Sequence, residues 1–360
     1  MATDEMPTTA DVGRRVVDLL RERLPETWKL RDTTAPDRNS PRFDLSIRLE
    51  GPDGRAVRLL ADVKQVVERR DVAHLAGQLR SRAAGSEDTP VVAARYMSAS
   101  VREALAQAGL SYVDATGNMR ITVDSPALFI SDRGQERDPW RKGRPRGTLS
   151  GEPAARVARA LLDYDRRWSV RELTATSGAS TGAAYRVLEY MQREALVVKG
   201  DRRYRVTDWE QLLRAWSRDA SFQKTTRVTT YIEPRGLDAF LTKVAQGSPF
   251  PVAVTGSVAA TEWATYAPAK AAYVYVSSIH EASERWGLRP NAAAPNVILL
   301  EPRTIGDVPF RNTTPAEGGY PVAAPAQVAA DLLNGPGREP AEGQHLIDWM
   351  RANEERWRHA

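Results

Sequence analysis

Three side chains near the start of the chain have the types and spacing for metal-assisted chemistry. Asp44 lies in FDLSIRLE (Phe43 to Glu50), and Asp62 and Lys64 lie in AVRLLADVKQ (Ala56 to Gln65), with GPDGR between the two segments. Both segments alternate like strands and read as the arms of a hairpin. Period-two alternation puts Asp62 and Lys64 on one face, and hairpin pairing brings Asp44 beside them. Two carboxylates converging on one point can hold Mg²⁺, and an adjacent ammonium can orient a water or steady charge developing on a phosphate. A plain Asp–Lys ion pair at a strand end is the alternative reading.

The elements that must position these residues follow from periodicity. An amphipathic helix over Ala10 to Leu24 carries Val12, Val16, Leu19, Leu20 and Leu24 on one side, and its Glu22 is a candidate further carboxylate. After the hairpin come a helix around Val72 to Arg82, a strand over Val91 to Met97, a helix over Ser100 to Gly109 and further strands in LSYVDATGNMRITV. The order αββαβαββ predicts an α/β sandwich around a mixed sheet over residues 8–131. A helix, an Asp on one strand and Asp-x-Lys on the next resembles the PD-(D/E)XK nuclease core, a restriction-endonuclease-like fold, although Arg42 rather than Pro stands ahead of Asp44. The resemblance implies catalysis by Asp44, Asp62 and Lys64, with Mg²⁺ held by Asp44 and Asp62.

A second set of residues suits a nucleic acid. Pro153 to Tyr164 reads as a helix striped with Val157, Ala160, Leu161 and Leu162. Ser169 caps a second helix with Glu172 as its capping-box partner, Gly178 makes a tight turn, and Ser180 caps a third helix. The strands ALVVKG and RRYRVT follow, joined by a basic tip. This order predicts a winged helix-turn-helix over residues 152–220. Ser180, Thr181 and Gly182 are small enough for close approach to a groove floor, and Tyr185 and Arg186 can reach base edges or phosphate. Lys199, Arg202, Arg203 and Arg205 on the wing can neutralise phosphates. A winged helix used for protein contacts, with a solvated charged hairpin, is the alternative. Ahead of it, Asp132 to Gly151 is rich in Arg, Gly and Pro and predicts a basic linker over 132–151. Within it Arg144-Pro145-Arg146 looks like the core of an AT-hook, with Arg144 and Arg146 able to lie in a narrow minor groove.

A softer break from Ser221 to Thr226 predicts a C-terminal α+β domain over 227–352. Gly256-Ser257 is similar to the opening of nucleotidyltransferase folds, but the next strand carries Tyr273 and Tyr275 where those enzymes place metal-binding carboxylates, so no transferase activity is expected. Trp263, Tyr266, Tyr273 and Tyr275 read as core or interface aromatics. The segment from Ala94 to Ile121, with Gly109 to Asp114 and Gly117-Asn118, resembles AbiEi-type antitoxins, the transcriptional-regulator half of type IV abortive-infection toxin–antitoxin systems. Further matching motifs are Leu212 to Trp216, Val254 to Ser257, Ala259-Ala260 and Ala324 to Leu333. The resemblance spans roughly residues 60–345 and implies repression of the protein's own operon and a cognate nucleotidyltransferase-like toxin as partner. A pure repressor has no need of Asp44, Asp62 and Lys64.

Composition bounds these readings. A chain of 360 residues with 42% hydrophobic residues predicts two or three folded domains and excludes global disorder. It has no cysteine and four scattered histidines, which excludes disulfide scaffolds and thiolate metal sites and argues against a histidine cluster. The net charge of +5 is carried mainly by arginine, which favours bidentate contacts to phosphate or guanine. No apolar run is long enough to span a bilayer. The expectation is an α/β multidomain, cytoplasmic, nucleoid-associated regulator that binds double-stranded DNA as a homodimer, without cofactor or membrane contact. The rival is a Mg²⁺-dependent endodeoxyribonuclease directed to DNA by the winged helix, of use in phage defence.

Overall fold

The computed structural model describes residues 6–34, 43–140 and 148–360. It divides into two compact units, Met1–Pro145 and Arg146–Ala360. Among the described residues no helix is long and apolar enough to cross a membrane. Arg144 and Arg146 lie outside the described residues.

In the first unit, helix α1 (Thr9–Arg23) starts at a capping box in which the Thr8 and Asp11 side chains each accept the other's backbone N–H. It is followed by β1 (Lys29–Thr34), β2 (Leu45–Glu50), β3 (Ala56–Lys64), α2 (Val72–Ala83), β4 (Thr89–Ala94), α3 (Ala99–Gln107), β5 (Ser111–Asp114), β6 (Met119–Val123) and β7 (Leu128–Asp132). The seven strands lie in chain order across one mixed sheet. Neighbours are antiparallel except β3–β4 and β4–β5, the two pairs that α2 and α3 connect. Alternation sends Val57, Leu59, Ala61 and Val63 of β3 to the face covered by α1. Val92 and Ala94 of β4 face the other way, onto Leu75 and Leu79 of α2 and Val101 and Leu105 of α3.

Two edge strands, β1 and β7, add to the expected order. The stretch expected to open a linker at 132 is also corrected as far as Asp138. Buried Asn118 accepts from Gly134 N at 3.0 Å and donates to Gln135 O at 3.1 Å. Tyr96 donates to Glu136 O at 2.6 Å, and Arg95 pairs with Asp138 at 2.6 Å. The segment lacks apolar residues because polar groups, not a hydrophobic stripe, tie it down.

The second unit opens with α4 (Glu152–Asp163), α5 (Val170–Ser177), α6 (Thr181–Arg193), the hairpin β8 (Val197–Gly200) and β9 (Arg203–Val206), and α7 (Trp209–Asp219). The chain then runs through α8 (Phe222–Thr225), β10 (Thr226–Ile232), α9 (Leu237–Ala245), β11 (Val252–Thr255), α10 (Gly256–Ala260), β12 (Ala272–Val276) and α11 (Ile279–Trp286). It ends with β13 (Arg289–Pro290), β14 (Val297–Pro302), β15 (Thr314–Pro315), β16 (Pro321–Val322), α12 (Pro325–Leu332), α13 (Glu339–Ala352) and α14 (Glu354–Trp357). The larger sheet has the order β13-β10-β14-β12-β11-β16-β15.

The break expected near Ser221 to Thr226 is not an exposed linker. One hydrophobic cluster runs from Leu149 to Trp357, and Thr225 and Thr226 are buried. Helix α7 buries Leu212, Leu213 and Trp216, and its Ser217 donates to Ala330 O of α12 at 2.9 Å. The chain keeps packing beyond residue 352, where Arg358 donates to Leu162 O at 3.0 Å and to Tyr164 O at 3.1 Å at the end of α4. Tyr275 is fully buried and Tyr273 meets Phe222 edge-on, so both serve the core, whereas Tyr266 is exposed.

A buried string of polar groups crosses this core. Arg159 of α4 pairs with Asp163 at 2.9 Å and donates to Gln327 Oε1 at 3.1 Å. Gln327 donates to Asp331 at 3.0 Å, and Asp331 also accepts from Tyr275 at 2.9 Å and Thr255 at 2.7 Å. Burial raises the Asp331 pKa to about 6 against those hydrogen bonds, and burial likewise raises Glu339 to about 7. A raised folded-state pKa means that the folded unit holds its protons more tightly than the unfolded chain. This contribution to stability is therefore complete below the ordinary carboxylate range and is lost as pH rises toward about 7. Thermal unfolding should show a lower Tm at about pH 8 than at about pH 5, falling roughly 2–4 °C for each kcal/mol lost. Asp331→Asn combined with Glu339→Gln should flatten that profile.

Candidate nucleic-acid interface and carboxylate pair

The hairpin register brings the first candidate site together. Leu45 pairs with Ala61, so Asp44, one residue ahead of β2, stands across from Asp62. Asp44 is locked there by its own N–H, which donates to Ala61 O at 2.9 Å, and by Val63 N, which donates to Asp44 Oδ2 at 2.8 Å. Asp62 is buried, with Oδ1 at 2.8 Å from Lys64 Nζ. Its Oδ2 is buried without a hydrogen-bond partner, and Arg82 Nη1 of α2 lies 3.8 Å away. Although Asp44 is exposed as a residue, its carboxyl turns in against β3. That desolvation, with the neighbouring Asp62 carboxyl, pushes its pKa up against the pull of the Val63 N–H. Glu22 does not join, being paired with Arg15 at 3.2 Å and Arg23 at 2.9 Å.

The donor set fits a hard divalent cation of the Mg²⁺ kind, which is commonly held by one or two carboxylates with water and substrate phosphate. The buried Asp62 Oδ2, which accepts no hydrogen bond and has only the Arg82 guanidinium 3.8 Å away, is the feature such an ion would satisfy. Among the described residues no group of three or more His, Cys, Asp or Glu converges.

The second candidate is the exposed face of α6 and the β8–β9 hairpin. Ser169 and Glu172 form the expected capping box, and Gly178 sits at φ +70°, a left-handed conformation that closes α5 and turns the chain into α6. Ser180 caps α6, its hydroxyl accepting from Ala183 N at 3.4 Å. Ala183, Ala184, Leu188 and Met191 face the core, leaving Ser180, Thr181, Gly182, Tyr185 and Arg186 exposed. The Arg186 guanidinium folds back to within 3.7 Å of where a Cβ on Gly182 would stand. Cation, aromatic ring and small residues thus share the leading end of the helix.

The hairpin turns through Asp201 and Arg202, at φ 50° and 62°. A two-residue turn with both residues left-handed is the mirror-image type that suits strand twist and prefers Asn-Gly. An arginine at its second position is unusual chemistry for a tip. Lys199 lies 5.4 Å over the Tyr204 ring, and Arg205 stands exposed across from Val198. Arg203 is committed elsewhere. It pairs with Glu172 at 2.9 Å and donates to Arg167 O at 3.0 Å, so it braces the hairpin against α5 instead of standing free for a phosphate. The Ser169 N–H and hydroxyl, with Arg203, hold the Glu172 pKa down to about 2. Among the described residues no carboxylate forms an ion pair with Arg186, Arg202 or Arg205.

Sequence reading missed Arg166, which stacks 3.9 Å over Trp168 and donates to Thr176 at 3.3 Å. It also missed the Glu172–Arg203 strut. The capping box was a visible signal for Glu172, whereas the strut needs the hairpin to fold back across α5.

No family model matches the chain, and no curated protein matches it. Among solved structures, EndoMS in its apo form is similar over 31% of this chain and 47% of that one, at 14% identity and a TM-score of 0.21. The chain thus spans about half the length of that structure, and a likeness of this size bears on neither fold nor activity.

Arg202→Gly should relieve the left-handed strain and raise unfolding free energy by about 1 kcal/mol. Denaturant unfolding of the variant beside the wild type checks the sign.

Proposed function

We propose that the protein is a sequence-specific, double-stranded-DNA-binding transcriptional regulator, an antitoxin-like repressor of its own operon. In this reading the three helices and hairpin at the start of the second unit are a winged helix-turn-helix. The sheet that follows is a nucleotidyltransferase-like module whose carboxylate positions hold Tyr273 and Tyr275 instead. The first unit is a restriction-endonuclease-like scaffold. The observation that carries the reading is the joint exposure of Thr181, Gly182, Tyr185 and Arg186 beside a hairpin whose Arg202 and Arg205 have no acidic partner among the described residues. Small residues let the helix approach a groove floor, one guanidinium reaches a base edge, and the hairpin cations neutralise phosphate. A homodimer on a two-fold operator in the cytoplasm, with a cognate toxin as partner, completes the proposal.

Arg186→Ala should cost about 1–3 kcal/mol on the preferred duplex and far less on scrambled DNA. Arg205→Ala should weaken both duplexes alike and lower the salt slope by about one. Fluorescence anisotropy across a salt series measures both. Equal losses for Arg186→Ala on the two duplexes would reduce its role to phosphate contact.

One specific observation favours a second reading, a Mg²⁺-dependent DNA nuclease directed by the same winged helix. Asp44 and Asp62 face one another with Lys64 alongside, and one buried Asp62 oxygen lacks a hydrogen-bond partner. Asp44 and Asp62 would hold the ion, which when bound supplies charge neutralisation at a phosphodiester. Lys64 would steady charge on the phosphate. Plasmid cleavage in Mg²⁺ or Mn²⁺, abolished by both Asp62→Ala and Lys64→Ala, would establish this reading; intact plasmid under the same conditions would leave the regulator reading alone.

A further inference from the structure

The turn that launches α6 is gripped by two arginines from distant parts of the second unit. Arg156 of α4 donates to Gly178 O at 3.2 Å, and Arg311, from the loop between β14 and β15, donates to Thr176 O at 3.3 Å. Carbonyls at a helix end have no amide partner within the helix, and these guanidiniums supply the missing donors. A Cβ at Gly178 would stand 3.3 Å from both Arg156 Nη1 and Arg311 Nη2, so the two groups enclose the turn.

Asp307 holds the pair together. Its Oδ1 accepts from Arg156 Nε at 3.0 Å and lies 2.9 Å from Nη2; its Oδ2 accepts from Arg311 Nε at 3.1 Å and lies 3.0 Å from Nη2. One carboxylate thus serves two guanidiniums side-on. Partial burial pushes the Asp307 carboxyl up, and the hydrogen bonds and charges of Arg311 and Arg156 outweigh this and hold it below the ordinary range. The loop reaches this position through Gly306, at φ +56°, where a Cβ would come within 2.5 Å of Glu152 Oε1. It is pinned beneath by Arg159, which donates to Val308 O and Arg311 O at 3.0 Å, and by Asn312, which donates to Asp163 at 2.7 Å.

We infer that Asp307 is a positioning residue for DNA reading: through Arg156 and Arg311 it fixes the turn from which α6 enters the groove, so a loop of the C-terminal sheet sets what the helix reads. The inference rests on the DNA-binding reading above. Asp307 and its partners are partly exposed, and such pairs contribute little to global stability. Their loss acts locally, on the turn and the first residues of α6. Base-edge contacts demand placement within about 0.5 Å, whereas phosphate contacts tolerate more. Discrimination between sequences therefore depends on the clamp more than non-specific affinity does.

The test uses the full chain, its preferred duplex selected from a random library, and a scrambled duplex of equal length. Asp307→Ala should lose on the order of tenfold on the preferred duplex and little on the scrambled one. Amide exchange across residues 176–183 should rise in the free protein while exchange in α7 and β11 stays unchanged. Asp307→Glu should restore part of both readouts. Arg311→Lys, which keeps the charge but loses the fork, should show the same signature and serves if Asp307→Ala folds poorly. Unchanged exchange across the turn, or equal losses on both duplexes, would overturn the inference alone. A wild-type chain that binds no duplex would overturn the DNA reading itself, and the inference with it.

Discussion

A charged guanidinium sits in the middle of the second unit, and the arrangement of everything around it follows from keeping that charge satisfied. Arg159 makes five hydrogen bonds, two to Asp163 and one each to Val308 O, Gln327 and Arg311 O. A buried charge is tolerated only when paired and fully bonded, and removing one partner leaves the rest stranded. Each partner belongs to a different structural need. Asp163 lies on the same helix, Gln327 leads on to Asp331 and the sheet, and the two carbonyls belong to the loop that carries Asp307.

This network makes α4 a shared element. It is the first helix of the three-helix head and also the floor on which α12 and the β14–β15 loop rest. Arg358, near the chain end, donates to carbonyls at the close of α4 and ties that helix from its other end. The exposed end of α6 is therefore carried by a body with one core instead of hanging from a linker. Under the proposed DNA-binding reading α6 gains from such support, because a loosely held helix forfeits the geometry on which discrimination between base edges depends.

Local features were legible in the sequence, and contacts between distant residues were not. The capping box at Ser169 and Glu172, the turn at Gly178 and the cap at Ser180 all follow from short-range chemistry, and all stand where spacing put them. The Asp44–Asp62 pairing was readable for the same reason, since hairpin register is set by a nearby turn. The edge strands β1 and β7 escaped because KLRDTT and LFISD give weak alternation and pair on one side only. Residues 133–138 looked like linker because their anchors are Asn118, Tyr96 and Arg95, which hydrophobic periodicity cannot register. Arg203 looked like a free wing cation until the fold placed Glu172 beside it. The shared core across residue 220 was hidden because α7 meets α12 through residues more than a hundred positions apart.

The central claim is that the leading end of α6 and the β8–β9 hairpin form the DNA-facing surface. Photo-cross-linking of the full chain to duplexes carrying 5-bromouracil at successive thymine positions, with the attached peptides identified by mass spectrometry, tests it most directly. The account predicts attachment at Tyr185 and within the hairpin segment from Lys199 to Arg205. A duplex that binds tightly yet cross-links only to other segments, leaving both of these unmodified, would contradict it.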